Sequence, residues 1–235
     1  MPLIEVRTLL SNSVDKLVIH LSWREKRYKS GISKCMGKYR YILFNKPYGV
    51  LSQFTDSSGA ARHTLKDYIA VPGVYPIGRL DWDSEGLMLL TDHGQMQHRL
   101  SHPQFQHPRT YWVQVERIPD AAALRQLQQG VVINNYQTQP ALVRLFDIEP
   151  AIPPRSHPIR FRKNVPTAWL EMTLTEGKNR QIRKMTAKVG FPTLRLVRVA
   201  IAHLQLGDLQ PGQWRYLTSE EESLLKLWQQ WQQRN

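Results

Sequence analysis

The stretch Gly78-Arg79-Leu80-Asp81-Trp82-Asp83-Ser84-Glu85-Gly86-Leu87 sets three carboxylates at alternate positions beside an arginine and runs straight into the apolar Leu87-Met88-Leu89-Leu90. Carboxylates on a loop tied to a buried strand are presented to solvent from a rigid support. Two chemistries follow from that arrangement. One carboxylate, kept ionised by a neighbouring cation, can act as nucleophile or base. Alternatively, several together can hold a divalent ion for phosphodiester cleavage, although no further acidic cluster offers the rest of a two-metal site. The plain alternative is a solvated acidic turn, and the strongly basic chain around it argues against that.

A second stretch is cationic. In Glu176-Gly177-Lys178-Asn179-Arg180-Gln181-Ile182-Arg183-Lys184-Met185, a glycine leads out of a strand and Asn179 is placed to cap a helix over 179–189. Arg180, Arg183 and Lys184 then fall at i, i+3 and i+4 on neighbouring faces. Helix N-terminal amides plus three cations receive phosphates or carboxylates; an ordinary basic helix face is the competing reading. A third stretch, Arg109-Thr110-Tyr111-Trp112, opens a strand with a tyrosine that is either core packing or a surface on which an unstacked base can lie. Histidines 93, 98, 102 and 107 suggest a metal site only weakly, because Pro103 interrupts the helix that would align His98 with His102.

The elements that must position these groups are readable in part. Tyr39 to Phe44 is a strand, Asn45 to Gly49 a turn and Val50 to Phe54 the returning strand. Thr64 caps a short helix that ends near Pro72-Gly73, and Val74 to Ile77 is a brief strand. A helix over Gly94 to Leu100 stops before Pro103. Strand Thr110 to Glu116 follows, then a helix capped by Asp120 and ended by Gly130. Ala141 to Glu149 alternates as a strand, and residues 150–166 form a proline-rich loop. Trp169 to Leu174 is a strand with Leu170, Met172 and Leu174 on one face. Strands follow at Leu194 to Ile201 and Leu204 to Leu206, and a last helix opens at Ser219-Glu220-Glu221-Glu222. Strands in near succession with helices inserted between them give an α+β protein rather than a regular βαβ alternation.

The chain has 235 residues, a net charge of +13 and one cysteine. That length allows one large domain or two small ones. The charge favours a polyanionic partner, nucleic acid before membrane, since no basic amphipathic helix suits a lipid surface. Cys35 alone excludes an intrachain disulfide and a multi-cysteine zinc site, and a reducing cytoplasmic compartment is the simplest expectation. No membrane span and no secretory signal are expected. Residues 1–38, with Arg24, Lys26, Arg27, Lys29, Lys34 and Lys38, are expected to be a basic, flexible arm that follows phosphates.

Three stretches taken together, Phe44-Asn45-Lys46-Pro47-Tyr48-Gly49-Val50-Leu51 and the acidic and basic motifs above, resemble the RsuA-type pseudouridine synthases over about residues 39–217. The resemblance implies that family's fold: a mixed, largely antiparallel sheet flanked by helices, in two half-domains around a catalytic cleft. Residues 218–235 would be a helix packed on the catalytic domain or extending it, and residues 1–38 are too short for the S4 domain that many members carry. Carried over by position, Asp81 is the catalytic aspartate, Tyr111 stacks on the target base and Arg183, favoured over Arg180, pairs with the aspartate. Arg79 helps displace the base. Lys46, Arg109, Lys178, Asn179, Arg180 and Lys184 complete the RNA-binding set. Arg109 stands where lysine is common, and Ser84 where threonine is frequent.

The activity so implied is isomerisation of a specific uridine in 23S ribosomal RNA near the peptidyl transferase centre, by base flipping, with no cofactor and no metal. A monomer is the simpler expectation. The alternative from another class is a non-catalytic basic RNA-binding or ribosome-assembly factor, which would leave Asp81 beside Arg79 without a purpose.

Overall fold

A computed structural model describes residues 38–101, 106–159 and 165–232. The basic arm expected over 1–38 therefore lies outside the described residues except for its last position, as do His102 and the final three residues. Among the described residues, nine strands form one sheet in the order β11-β1-β3-β9-β4-β8-β7, with β10 (Leu204–Gln205) added to β9 and β2 (Tyr75–Pro76) to β3. A separate two-stranded hairpin, β5 (Val132–Ile133) with β6 (Tyr136–Gln137), stands outside it.

β1 (Tyr41–Lys46) and β3 (Glu85–Thr91) are buried along their whole length, which is why both read as continuous apolar runs rather than alternating ones. Leu87 and Leu89 of β3 join Tyr41 and Leu43 in a core with Met96 and Leu100 of α1 (Gly94–Ser101) and Leu225 of α4 (Ser219–Gln232). On the opposite face, Met88 and Leu90 join Ile42 and Phe44 in a core with Leu65, Ile69 and Leu80. Leu65 belongs to a single 3₁₀ turn, Leu65–Asp67, which Thr64 caps; Asp67 reaches back to the Thr64 amide at 2.7 Å.

The second half of the sheet has its own core. Val113 and Val115 of β4 (Arg109–Glu116) meet Leu170, Met172 and Leu174 of β8 (Thr167–Leu174) and Val143 of β7 (Leu142–Leu145). Leu127 of α2 (Ala121–Gln129) and Ile182 and Met185 of α3 (Gln181–Lys188) close it. The single-face reading of Leu170, Met172 and Leu174 thus holds. So does the Asp120 cap, which accepts from the Ala123 amide at 2.7 Å.

The halves meet where β3 runs parallel to β9 (Thr193–Ile201), through Glu85↔Val197 and Gly86↔Arg198. Every other pairing in the sheet is antiparallel, so the sheet is mixed and largely antiparallel, as expected. The seam is tight. A Cβ on Gly86, whose φ is +102°, would sit 2.3 Å from the Arg198 carbonyl oxygen. Only glycine permits both that dihedral and that approach.

Four expectations need correcting. Val50 to Phe54 is not a strand: it makes one isolated bridge, Leu51↔Thr64, and is spent on holding loops. β7 ends at Leu145, short of Glu149, because Asp147 to Pro150 leave the sheet. Asn179 does not cap α3; the residue before the helix is Arg180, in a left-handed conformation with φ 50°. Finally, β11 (Trp214–Tyr216) and the β5–β6 hairpin fall outside every strand expected from the sequence.

Gly86→Ala should destabilise the protein by about 3 kcal/mol or more, because both backbone strain and a backbone clash fall on the strand seam. Urea or thermal unfolding measures it. A melting temperature within about 2 °C of wild type would show that the seam yields.

Candidate active site

The loop that enters β3 is clamped from several sides. Ser52 Oγ accepts from the Leu80 amide at 3.0 Å and donates to the Leu80 carbonyl at 2.6 Å. The Ser84 amide donates to the Asp81 carbonyl at 3.0 Å, closing a turn over Asp81 to Ser84, and the Gly49 amide donates to the Trp82 carbonyl at 2.9 Å. Asp81 is therefore held in place through its own backbone and its neighbours'.

The three carboxylates have different fates. Glu85 is buried and receives both Arg195 nitrogens, Nε at 2.9 Å and Nη2 at 2.8 Å. Arg195 Nη2 also donates to the Pro153 carbonyl at 2.9 Å, pinning the proline-rich loop to the seam. Asp83 receives Arg180 in a fork, with both contacts at 2.8 Å, and lies 3.4 Å from Arg183 Nη2. Burial works to raise the Asp83 carboxyl, but the Arg180 hydrogen bonds and the charges of Arg183 and Arg180 outweigh it and hold the group below the usual carboxylate range. Asp81 receives no hydrogen bond from a guanidinium: Arg180 Nη1 is 3.8 Å away, at ion-pair distance only, and the side chain keeps 38% of its surface exposed.

The cations divide as well. Arg183, expected to pair with Asp81, instead donates Nη2 to the Asp83 carbonyl at 2.7 Å and Nη1 to Thr193 at 3.4 Å, so that it ties α3 and β9 to the loop. Burial lowers its pKa, while Asp83 and Asp81 pull it back up. Arg180 is the guanidinium within ion-pair distance of both Asp81 and Asp83. Its left-handed backbone follows from a turn that Gln181 and Glu176 hold. The buried Gln181 side chain accepts from the Lys178 amide at 2.9 Å and donates to Glu176, which also receives Tyr136 at 2.6 Å and the Gln139 amide at 2.9 Å. Lys178, Asn179 and Arg180 are exposed on that turn, and Lys184 reaches Asn179 at 3.4 Å.

Lys46 is not a surface group. It is wholly buried beneath the loop, donating to the carbonyls of Val50 at 2.7 Å and Pro47 at 2.9 Å. Its ammonium is therefore a brace for the loop. Burial pushes its pKa down to about 7 against the pull of Glu85, Asp83 and Asp81.

Arg109 and Tyr111 lie on β4 at the seam. Tyr111 pairs with Arg198 on β9 and packs against the cores of both halves, and Arg109 and Arg198 are close enough to oppose one another's charge. Arg198 is buried, donates Nε to the Leu87 carbonyl at 2.7 Å, and leaves Nη2 without a hydrogen-bond partner. Arg79 is exposed and makes no hydrogen bond or ion pair among the described residues.

This geometry disfavours a metal at the acidic motif. Asp83 and Glu85 already have their oxygens filled by guanidinium groups. No group of three histidine, cysteine, aspartate or glutamate side chains suited to a metal occurs among the described residues. His93 stacks on Tyr39 at 3.8 Å, and His107 meets the Arg99 carbonyl at 3.2 Å, so both serve the fold.

Residues 40–188 match the family model described as RNA pseudouridylate synthase. The chain belongs to that family. Among its relatives, a ribosomal large subunit pseudouridine synthase E from Xanthomonas campestris is 57% identical over 74% of this chain and 93% of the relative. One of the same description from Vibrio vulnificus is 48% identical over 85% of this chain and 84% of the relative. A ribosomal large subunit pseudouridine synthase B from Bacillus subtilis is 35% identical over 79% of this chain and 71% of the relative. A solved pseudouridylate synthase superposes with a TM-score of 0.66 at 26% identity, covering 80% of this chain and 74% of that one.

The sequence reading of this pseudouridylate synthase missed Ser52, Arg195, Arg198 and Gln181. Each acts through a contact with a residue far along the chain, apart from Gln181, whose position beside Arg180 in the basic motif was the one available signal.

The buried Lys46 gives a signed pH dependence. Its folded pKa of about 7 lies below the unfolded value, so between the two the unfolded chain binds more protons and stability rises with pH. The rise should run from about pH 7 to about pH 9.5, before the tyrosines titrate. Lys46→Met should flatten it, which urea melts across that range would read. An equal slope in the variant would place the titration elsewhere.

Proposed function

We propose that this pseudouridylate synthase isomerises a specific uridine of 23S ribosomal RNA to pseudouridine, with Asp81 as the catalytic carboxylate. The observation that carries the assignment is the unequal treatment of the three acids. Arginines saturate Asp83 and Glu85, whereas Asp81 keeps exposed oxygens and a guanidinium at 3.8 Å. A carboxylate meant to meet a substrate must be reachable and free of a competing fork, and of the three only Asp81 is both. The relatives named for the ribosomal large subunit support the choice of RNA.

In the reaction the bond between uracil N1 and ribose C1′ breaks, the detached base turns, and C5 joins C1′; the C5 proton leaves and N1 ends protonated. Atoms balance without an oxidant or a metal. The base must leave its stack to be reached. Arg79, exposed next to the loop, is suited to take the space it vacates, and Tyr111, at the junction of the two cores, offers a ring to hold it. Arg180 is suited to pair with Asp81, with Arg183 fixing the loop from behind. Lys178, Asn179 and Lys184 line the exposed turn beside it and are suited to phosphates. Arg109 stands one pair along β4 from Tyr111 and adds positive charge beneath the base. Residues 39–217 form the catalytic unit in this reading, with residues 1–38 as a phosphate-following arm, and the enzyme acts as a cytoplasmic monomer.

Asp81→Asn should abolish pseudouridine formation while RNA affinity stays within a few-fold of wild type. Carbodiimide modification and primer extension on a 23S transcript, beside filter binding, measures both. If wild-type protein forms no pseudouridine on any ribosomal RNA substrate, the chain is a binder and not an enzyme on that RNA. A large loss of binding in Asp81→Asn would make the residue structural.

A further inference from the structure

The aspartate is followed by a tryptophan, and its indole is 43% exposed. An exposed indole in the middle of a loop clamped from several sides calls for a reason, because the loop's own clamps use only the Trp82 backbone. Its carbonyl accepts from Gly49 at 2.9 Å and faces Lys46 Nζ at 3.5 Å. The ring is left to do something else.

Its surroundings are aromatic and cationic. Tyr48 lies with its ring centre 5.2 Å from that of Trp82, and His157 lies 5.5 Å from Tyr48 on the other side. The Arg155 guanidinium covers Tyr48 at 4.2 Å and is tied to the His157 carbonyl. Arg155 and His157 come from the proline-rich loop, whose Pro153 carbonyl is held by the buried Arg195. Glu85 of β3 thus fixes, through Arg195, the loop that brings Arg155 and His157 to Tyr48, the ring beside Trp82. Positively charged rims around aromatic faces are the physical signature of sites that take unpaired nucleobases and their phosphates.

We propose that Trp82, backed by Tyr48 and rimmed by Arg155 and His157, is a stacking platform for the unpaired base adjacent to the target uridine. The inference rests on the reading of Asp81 above in one respect, the location of the target. When a uridine is drawn out of a strand, its neighbour loses a stacking partner, and that loss is part of the cost of flipping. A tryptophan one residue from the reactive carboxylate lies where that neighbour must pass and replaces the lost stack. Because every base has a π-face, the platform selects for an unpaired neighbour more than for its identity.

The test compares Trp82→Phe, which keeps an aromatic face, with Trp82→Leu, which keeps apolar bulk without one. Full-length variants with unchanged melting temperatures are measured for binding to a 23S transcript and for single-turnover pseudouridine formation over a range of enzyme concentration. Trp82→Leu should raise both Kd and the half-saturating concentration about tenfold, and Trp82→Phe should stay within about threefold of wild type. Arg155→Ala should weaken binding and flatten its salt dependence. Tyr75→Ala, an exposed aromatic at the far end of β3, serves as the comparison and should bind as wild type does.

The proposal is overturned if Trp82→Leu binds like wild type, if the Leu and Phe variants lose affinity equally, or if Tyr75→Ala loses as much. Absence of pseudouridine with wild-type enzyme would remove the functional reading alone, since the binding contrast judges the platform without it.

Discussion

The parallel contact of β3 with β9 is the constraint from which the site is built. β3 brings the acidic loop to the middle of the sheet, and β9 is entered from the basic helix α3, so laying the two side by side sets anions against cations at one end of the seam. Gly86 makes that possible by letting the Arg198 backbone approach to a distance no side chain would tolerate. One residue earlier, Glu85 and Arg195 form a forked pair with under a tenth of either side chain exposed. Such a pair contributes little over an apolar contact of the same size, yet removing one partner costs about 3–5 kcal/mol. It acts as a registration device: the strands meet in one alignment, and the loops at their ends inherit it.

The electrostatics of the seam are uneven, and that unevenness has a chemical use. Lys46, Arg198 and Arg183 are buried or nearly so, each within reach of backbone carbonyls that carry part of the solvation water would have given. The loop carboxylates above them sit in a positive field that comes from the protein interior and cannot be screened by salt as surface charge is.

How much of this was legible in the sequence depended on whether the information was local. The Asp81 loop, the Thr64 and Asp120 caps and the apolar face of β8 are written in runs of a few residues, and each is where the pattern put it. Val50 to Phe54 had strand composition, but its Ser52 hydroxyl is used across 28 positions to fix Leu80, which no periodicity reveals. Lys46 read as an RNA contact because exposed lysine is the ordinary case; only the folded loop shows that the ammonium has been enclosed. The preference for Arg183 over Arg180 came from the resemblance, not from helix geometry. With Asn179 as cap, both would have lain on a regular helix. The left-handed Arg180 breaks that regularity and sends its guanidinium to the acids.

The long contact between Arg180 and Asp81 is one whose strength depends on the water around it. In water, two unit charges 3.8 Å apart with about two-fifths of each side chain exposed attract weakly. RNA lying over the loop would exclude that water, and the same separation would then carry several times the energy. Arg180 cannot be drawn wholly away from Asp83, which holds it by a fork, so it is positioned in advance and strengthened only on covering. That division keeps Asp81 free of a competing hydrogen bond before substrate arrives.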